Sequence, residues 1–136
     1  MKTLILAFAI LLIATSCDVY YVEPVVAVPV YDPRDQYIGS YDVNEYSSTY
    51  DEYWEYGLSI YKSEYNIVIS NFYNSGLMID ANVNGDNIYI PWQTVNGYEL
   101  QGDGYIENGK ITINYKVRDT YAGNLVWDFC TATGFR

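Results

Sequence analysis

Regularly spaced turn dipeptides are the feature of this sequence that most constrains its fold. Asn96-Gly97 and Asn108-Gly109 are pairs that readily adopt the positive φ angles of a type I′ hairpin turn. Asn84-Gly85-Asp86-Asn87 is a further turn cluster, so the turn asparagines 84, 96 and 108 are 12 residues apart. Evenly spaced tight turns between short strands are typical of an antiparallel meander. The sequence therefore predicts an all-β domain.

Alternating apolar and polar residues place about eight strands between these turns, each with one buried and one wet face. The alternation puts the following residues on the inward faces: Tyr41 and Val43; Trp54, Tyr56, Leu58 and Ile60; Ile67 and Ile69; Leu77, Ile79, Ala81 and Val83; Ile88, Ile90, Trp92 and Thr94; Tyr98, Leu100 and Ile106; Ile111, Ile113, Tyr115 and Val117; and Leu125, Trp127 and Phe129.

The edges of this meander indicate how it is completed. An open meander exposes two strand edges, and pairing of the first strand with the last removes both. A sandwich is disfavoured because its Greek-key crossings need longer connections than these. Gly102 and Gly104, on the inward register, indicate a bend at a barrel corner. We therefore expect an eight-stranded antiparallel up-and-down meander, closed into a small barrel over residues 36–136.

Composition narrows the classes of function. The 136 residues include 7 Lys and Arg against 17 Asp and Glu, which gives a net charge of −10. Affinity for nucleic acid comes mostly from Lys and Arg that neutralise phosphates, so we expect no nucleic-acid partner. The chain has no histidine, which removes the commonest general base and the commonest zinc ligand. We expect no enzymatic activity, no cofactor and no metal.

The first sixteen residues have the three parts of a secretory signal peptide. Lys2 supplies a positive charge, residues 4–13 are an unbroken apolar run of ten, and small residues precede Cys17. The run is shorter than the ~20 residues that a membrane-spanning helix needs. Residues 13–17 resemble a bacterial lipobox, with Ala14 where leucine is usual. The resemblance implies that Cys17 is lipidated and attaches the protein to a membrane. Ordinary cleavage after Ser16 is the alternative.

Residues 17–35 are predicted to be a tether between the membrane and the barrel. Three of the four prolines lie here, separated mainly by valine and tyrosine, and proline favours extended chain over a sheet ladder. A semi-rigid spacer is the favoured interpretation, and a docking peptide for a partner protein is the other. Cys130 is the second cysteine, and without a histidine to activate it we expect a buried structural residue.

Two further segments resemble a known family. Residues 85–95 and 102–115 are similar to a G-x-I-x-I-P-x-Q-T-V strand followed by G-x-G-x-I-x-x-G-x-I-T-I-x-Y, with the first segment one residue longer than the pattern. This pair of motifs resembles the small lipocalin-like (calycin-type) barrel domains of bacterial envelope lipoproteins, from Ile38 onward. The resemblance implies a lipid-anchored location in the cell envelope, at the outer membrane, on a face that it does not specify. It implies no ligand.

Inward aromatic residues are the candidate ligand-binding residues. They either fill the barrel or line a cavity, because an eight-stranded barrel is just wide enough for side chains or for one small ligand. The candidate cavity-lining residues are Trp54, Tyr56, Trp92, Tyr98, Tyr115 and Trp127.

An acidic stretch is the other candidate site. Asp42, Glu45, Asp51, Glu52 and Glu55 include oxygens of the kind that bind Ca²⁺ and carboxylates of the kind that act in glycosidases. On the strand from Asp51 onward, the alternation places only Glu52 on the core side. We expect most of the other acids to face water as a solvated acidic face.

The whole pattern predicts a non-enzymatic, membrane-anchored envelope lipoprotein that serves as a binding or structural module. The alternative is a lipocalin-like carrier of a small apolar ligand held inside the barrel. The partner, whether a protein or an apolar small molecule, is not specified by the sequence.

Overall fold

The computed structural model describes residues 20–123 and 125–136. The predicted signal peptide and Cys17 lie outside the described residues. Residues 20–30 contain neither helix nor strand. Residues 31–136 form a compact unit with one short helix and eight strands. Its elements are a 3₁₀ helix (Pro33–Tyr37), β1 (Gly39–Ser47), β2 (Glu52–Lys62), β3 (Ile67–Phe72), β4 (Leu77–Asn84), β5 (Asn87–Val95), β6 (Tyr98–Glu107), β7 (Lys110–Asp119) and β8 (Asp128–Phe135).

The predicted closed up-and-down barrel is confirmed. Each strand pairs antiparallel with the next one along the chain, and β1 pairs with β8. Beyond the end of β1 the turn continues this seam, because the amide of Ser48 donates to the carbonyl oxygen of Phe129 over 2.9 Å. The amide of Phe129 also donates to Oγ1 of Thr49. Both strand edges that an open meander would expose are therefore paired. No helix among the described residues is long and apolar enough to span a membrane.

The predicted inward faces are confirmed on most strands. Alternate residues of β3, β4 and β7 are buried, and positive φ angles at Asn96 and Asn108 accompany the predicted hairpin turns. The interior is mostly aliphatic, and its fully buried members include Leu58, Ile60, Ile67, Ile69, Leu77, Ile79, Ile90, Leu100 and Ile111.

Two inward glycines permit a close approach of β6 and β7. A Cβ atom on Gly102 would lie 2.6 Å from Cβ of Tyr115, and one on Gly104 would lie 3.1 Å from Cγ1 of Ile88. Each would also collide with a backbone carbonyl oxygen of β7. The strands can therefore curve tightly here only because these positions lack a side chain.

The predicted inward position of Trp92 is wrong, because β5 contains a bulge. Ile90 pairs with Gly102 and Gln93 with Leu100, so two residues of β5 face one residue of β6. Trp92 consequently lies on the outer surface with 49% of its area exposed. Pro91 lacks the amide hydrogen that a regular ladder needs, and bulges tolerate proline. The side-chain amide of Gln93 takes the place of a backbone pair, accepting from the amide of Asp80 and donating to its carbonyl oxygen.

The predicted register of the last strand is also wrong, by one residue. β8 begins at Asp128, and its inward residues are Asp128, Cys130, Ala132 and Gly134. Closure of the barrel sets this register, because Cys130 lies opposite Ser47 on one side and Tyr115 on the other. The small inward side chains of β8 leave room for the tyrosines of the neighbouring strands. Phe129, which was predicted to face inward, is exposed. The expected burial of Cys130 is confirmed.

The two ends of the barrel differ. At one end the 3₁₀ helix inserts Tyr37, which is fully buried, among the aliphatic side chains. The hydroxyl of Tyr41 donates to the carbonyl oxygen of Tyr37 over 2.8 Å. Arg34 ties the helix to the β2–β3 connection by donating to the carbonyl oxygens of Ser63 and Glu64. This end is therefore closed by packing, and the opposite end holds the polar residues.

Candidate functional site

Strand β1 supplies two of the buried polar residues at the polar end of the barrel. This strand points Tyr41, Val43, Glu45 and Ser47 inward in turn, so that Glu45 and Ser47 follow two apolar residues on the same face. Glu45 is only 1% exposed. Glu45 is therefore not part of the solvated acidic face that we expected for most of this stretch. Glu52 has the predicted register, but it is exposed at the start of β2.

Glu45 is held by two tyrosines from different strands. Its Oε2 atom accepts a hydrogen bond from the hydroxyl of Tyr56 over 2.6 Å and another from the hydroxyl of Tyr115 over 2.5 Å. Burial raises the pKa of Glu45, and the two tyrosine hydroxyls oppose this by stabilising the carboxylate. Glu45 is thus a buried acid whose charge is supported by hydrogen bonds.

Asp128 is a second buried carboxyl group at this end. Its Oδ1 atom accepts a short hydrogen bond from the hydroxyl of Ser47, and its Oδ2 atom accepts from the hydroxyl of Tyr73 over 2.8 Å. Among the residues that the structure describes, neither Asp128 nor Glu45 forms a salt bridge. We define the carboxylate cluster as Glu45 and Asp128 with Ser47, Tyr56, Tyr73 and Tyr115.

The acidic groups and burial together keep the neighbouring side chains un-ionised. Burial raises the pKa values of Tyr56, Tyr73 and Tyr115, and the adjacent carboxylates raise them further. Burial likewise raises the pKa of the Cys130 thiol, with the charges of Glu45 and Asp128 adding to the effect. A thiol held in its protonated form is a poor nucleophile. The cluster is therefore a set of neutral donors around two acids.

The turn between β3 and β4 places Tyr73 in the cluster by means of an unusual backbone. Asn71, Tyr73 and Asn74 have φ angles of 60°, 56° and 48°. Positive φ is tolerated by asparagine but is uncommon for a bulky residue such as tyrosine. The side chain of Asn71 fixes the turn by donating to the carbonyl oxygen of Gly57 and accepting from the amide of Gly76. Such conformations often cluster at functional sites.

Tyr73 lies between two clefts at the polar end. One cleft, of about 230 Å³, is lined by Glu45, Trp54, Tyr73 and Asn74. The other, of about 210 Å³, is lined by Tyr50, Tyr98, Arg118, Val126 and Asp128, among others, with Tyr73 common to both. The ring of Tyr73 makes edge contacts with those of Trp54 and Tyr98, at centroid distances of 6.4 and 6.1 Å. We call the first the Trp54 cleft.

The structure brings together four of the six aromatic residues predicted to line a cavity. Trp54, Tyr56, Tyr98 and Tyr115 all lie at the polar end, in the clefts or the carboxylate cluster. Trp92 and Trp127 do not.

Trp92 and Trp127 instead contact each other on the outside of the barrel. Their ring centroids are 5.4 Å apart, and Nζ of Lys116, on the outer face of β7, lies 4.7 Å from the ring of Trp127. Arg118 contacts the same ring and forms a salt bridge with Glu99. These tryptophans therefore belong to a row of contacting side chains on the outer surface of the barrel. Such cross-strand contacts stabilise a sheet.

The sequence analysis placed Glu45 in a solvated acidic face, and it did not place Ser47, Tyr73 and Asp128 in the barrel interior. A signal for Glu45 and Ser47 was present, because continuing the alternation from Tyr41 and Val43 leads directly to them. No comparable signal marks Tyr73, which follows a register shift in β3.

Comparisons of the chain with protein-family models, with curated proteins and with solved structures find no significant match. Within the described residues, no group of three or more His, Cys, Asp or Glu side chains is placed to hold a metal ion. The function must therefore be inferred from the site itself.

Proposed function

We propose that the protein is a non-enzymatic binding module of the bacterial cell envelope, and that the polar end of the barrel is its ligand site. The observation that carries this proposal is the burial of two carboxyl groups, Glu45 and Asp128, without a cationic partner among the described residues. Burying an acid is costly, and acids in such perturbed environments cluster at functional sites.

The surroundings of the two acids support binding more than catalysis. Both accept hydrogen bonds from hydroxyl groups, which hold them in place. The chain has no histidine, and burial keeps the thiol of Cys130 protonated by raising its pKa. The alternation from Asp51 onward placed only Glu52 on the core side, whereas the structure buries two carboxyl groups, those of Glu45 and Asp128. The non-enzymatic assignment rests on these hydroxyl contacts to both acids and on the lack of an activated serine or cysteine nucleophile among the described residues of the cluster.

We further propose that the protein is located at the outer membrane and that its barrel is lipocalin-like. A lipid on Cys17 would attach the protein to the outer membrane, and residues 17–35 would act as the spacer. The lipocalin-like assignment is supported by the closed eight-stranded antiparallel barrel. The carrier alternative receives less support, because aliphatic side chains such as Ile69, Ile90 and Leu100 already occupy the apolar part of the interior.

Tryptophan fluorescence can test the position of the site. A variant with Trp92→Phe and Trp127→Phe keeps Trp54 as the only indole, and the matched variant with Trp54→Phe keeps only the outer pair. We expect small ammonium compounds, sugars or short peptides from a screen to change the emission of the first variant and leave that of the second unchanged. A ligand that changes only the outer pair would contradict the proposal, as would a screen in which fatty acids are the sole ligands.

A further inference from the structure

We propose that the Trp54 cleft binds a small organic ammonium cation, with Glu45 as its counter-charge. This inference rests on the proposed function, because it names the class of ligand for the same site. Its starting point is the combination of aromatic walls and a buried carboxylate in one cleft.

The walls of the cleft have the composition that favours cations. Trp54 and Tyr73 stand at an interplanar angle of 71°, so that two aromatic surfaces bound the same space at different angles. Aromatic faces attract ammonium groups through the ring quadrupole, and tryptophan does so best. Trp54 is also the cross-strand partner of Glu45, which places the ring beside the acid.

One oxygen atom of the Glu45 carboxylate, Oε1, can accept a hydrogen bond from a ligand. Both tyrosine hydroxyls donate to Oε2 of Glu45, and Oε1 accepts no hydrogen bond from any described residue. Glu45 is among the residues that line the cleft, so Oε1 is the carboxylate oxygen available to a ligand there. A cation seated in the cleft against these rings could therefore reach an acceptor without displacing either tyrosine.

The charges around the cleft favour a ligand with a positive charge. None of the described residues that line the Trp54 cleft is a lysine or an arginine. Arg118, at the second cleft, is already paired with Glu99, and Lys116 lies over the outer tryptophans. Asp128 adds a second buried acid near Glu45 and a chain with a net charge of −10 adds a negative background. An anionic ligand would be repelled here, and a neutral one would leave Glu45 without a counter-ion.

The size of the cleft limits the ligand. Pockets that enclose drug-sized molecules have volumes of roughly 300–1,000 Å³. The Trp54 cleft, at about 230 Å³, is smaller. It therefore suits a compact ammonium group, either as a whole molecule or as the end of a longer one.

A charged probe and its neutral isostere provide the test. Choline and 3,3-dimethyl-1-butanol have nearly the same shape and differ in the positive charge. Titrated into the variant that keeps only Trp54, choline should bind about tenfold more tightly or better, which corresponds to one cation–π and carboxylate contact. Glu45→Gln should reduce this preference, because it removes the carboxylate and keeps the ring of Trp54. Glu55→Gln, which changes an exposed acid on β2, should leave the preference unchanged. Trp54→Leu, followed by NMR, tests the aromatic wall independently.

The outcomes separate this inference from the proposed function. Equal affinity for the two probes, an unchanged preference in Glu45→Gln, or the absence of choline binding would each overturn the ammonium inference. If other ligands from the wider screen still change the emission of Trp54, the site at the polar end stands without it. If no compound does so, both proposals fail. Circular dichroism of each variant shows whether the barrel remains folded.

Discussion

At the scale of single residues, Glu45 connects the stability of the protein to pH. Burial raises the pKa of Glu45 in the folded protein above its ordinary value of 4.5. Below that value the group is protonated in both states, and its neutral form favours the fold fully. As the pH rises, the unfolded chain ionises first, so the free energy of unfolding falls until the pH exceeds the folded-state pKa. The loss amounts to about 1.4 kcal/mol for each pH unit between the two pKa values.

Glu45→Gln should remove this dependence, because glutamine stays neutral and its carbonyl oxygen can accept the two tyrosine hydroxyls. We expect the free energy of unfolding of the wild-type protein, relative to the variant, to fall as the pH rises above 4.5. Urea unfolding between pH 4 and pH 8 measures it, with Glu55→Gln as a control for the loss of one negative charge. Parallel curves for wild type and Glu45→Gln would show that Glu45 ionises in the fold as easily as in the unfolded chain.

Part of the site at the polar end could be predicted from the sequence alone. The inward aromatic residues Trp54, Tyr56, Tyr98 and Tyr115 could be placed from alternation, because each has apolar neighbours two positions away. Glu45 could have been placed in the same way, but its charge favours an exposed position. Only the tyrosines that donate to it, one from β2 and one from β7, make its burial acceptable. Those partners are 11 and 70 residues away along the chain.

At the scale of elements, the turns and most strands followed from sequence, whereas the bulge in β5 did not. Turn dipeptides act locally, and their positive φ angles need no tertiary partner. The bulge depends on β6, because it exists only where two residues of β5 oppose one residue across the ladder. The register of β8 similarly depends on β1 and β7. Alternation within one strand cannot detect either effect.

The bulge predicts a contrast between two large-to-small substitutions. Trp92→Ala removes a half-exposed ring from the outer surface, and we expect it to lower the free energy of unfolding by about 1 kcal/mol or less. Leu100→Ala, at a fully buried position of β6, should lower it by about 2–5 kcal/mol through lost burial and a cavity. Chemical denaturation of both variants measures the difference. If Trp92→Ala lowered the free energy of unfolding more than Leu100→Ala, the ring of Trp92 would have to lie inside the barrel. That result would contradict the bulge in β5.

At the scale of the whole molecule, closure of the barrel was predictable because the physical argument is global. Eight short strands with tight turns must either leave two edges open or pair the first with the last, and pairing leaves fewer unsatisfied backbone groups. Closure then decides the chemistry of the interior. It brings Glu45 of β1 beside Asp128 of β8 and Tyr115 of β7, residues that lie far apart in sequence. The proximity of Glu45 and Asp128 was therefore predictable only once the seam was known.

The predicted lipid anchor at Cys17 is the last hypothesis to test. The sequence places a charged start, a ten-residue apolar run and small residues directly before Cys17, and this arrangement predicts lipidation there. Cys17→Ser should therefore leave unprocessed precursor and abolish labelling with a fatty acid in cells. Cys130→Ser serves as the matched control, because the second cysteine is buried in the barrel and should not change the label. Normal processing and unchanged labelling of Cys17→Ser would remove the anchor, and with it the outer-membrane location, while leaving the ligand site at the polar end of the barrel as proposed.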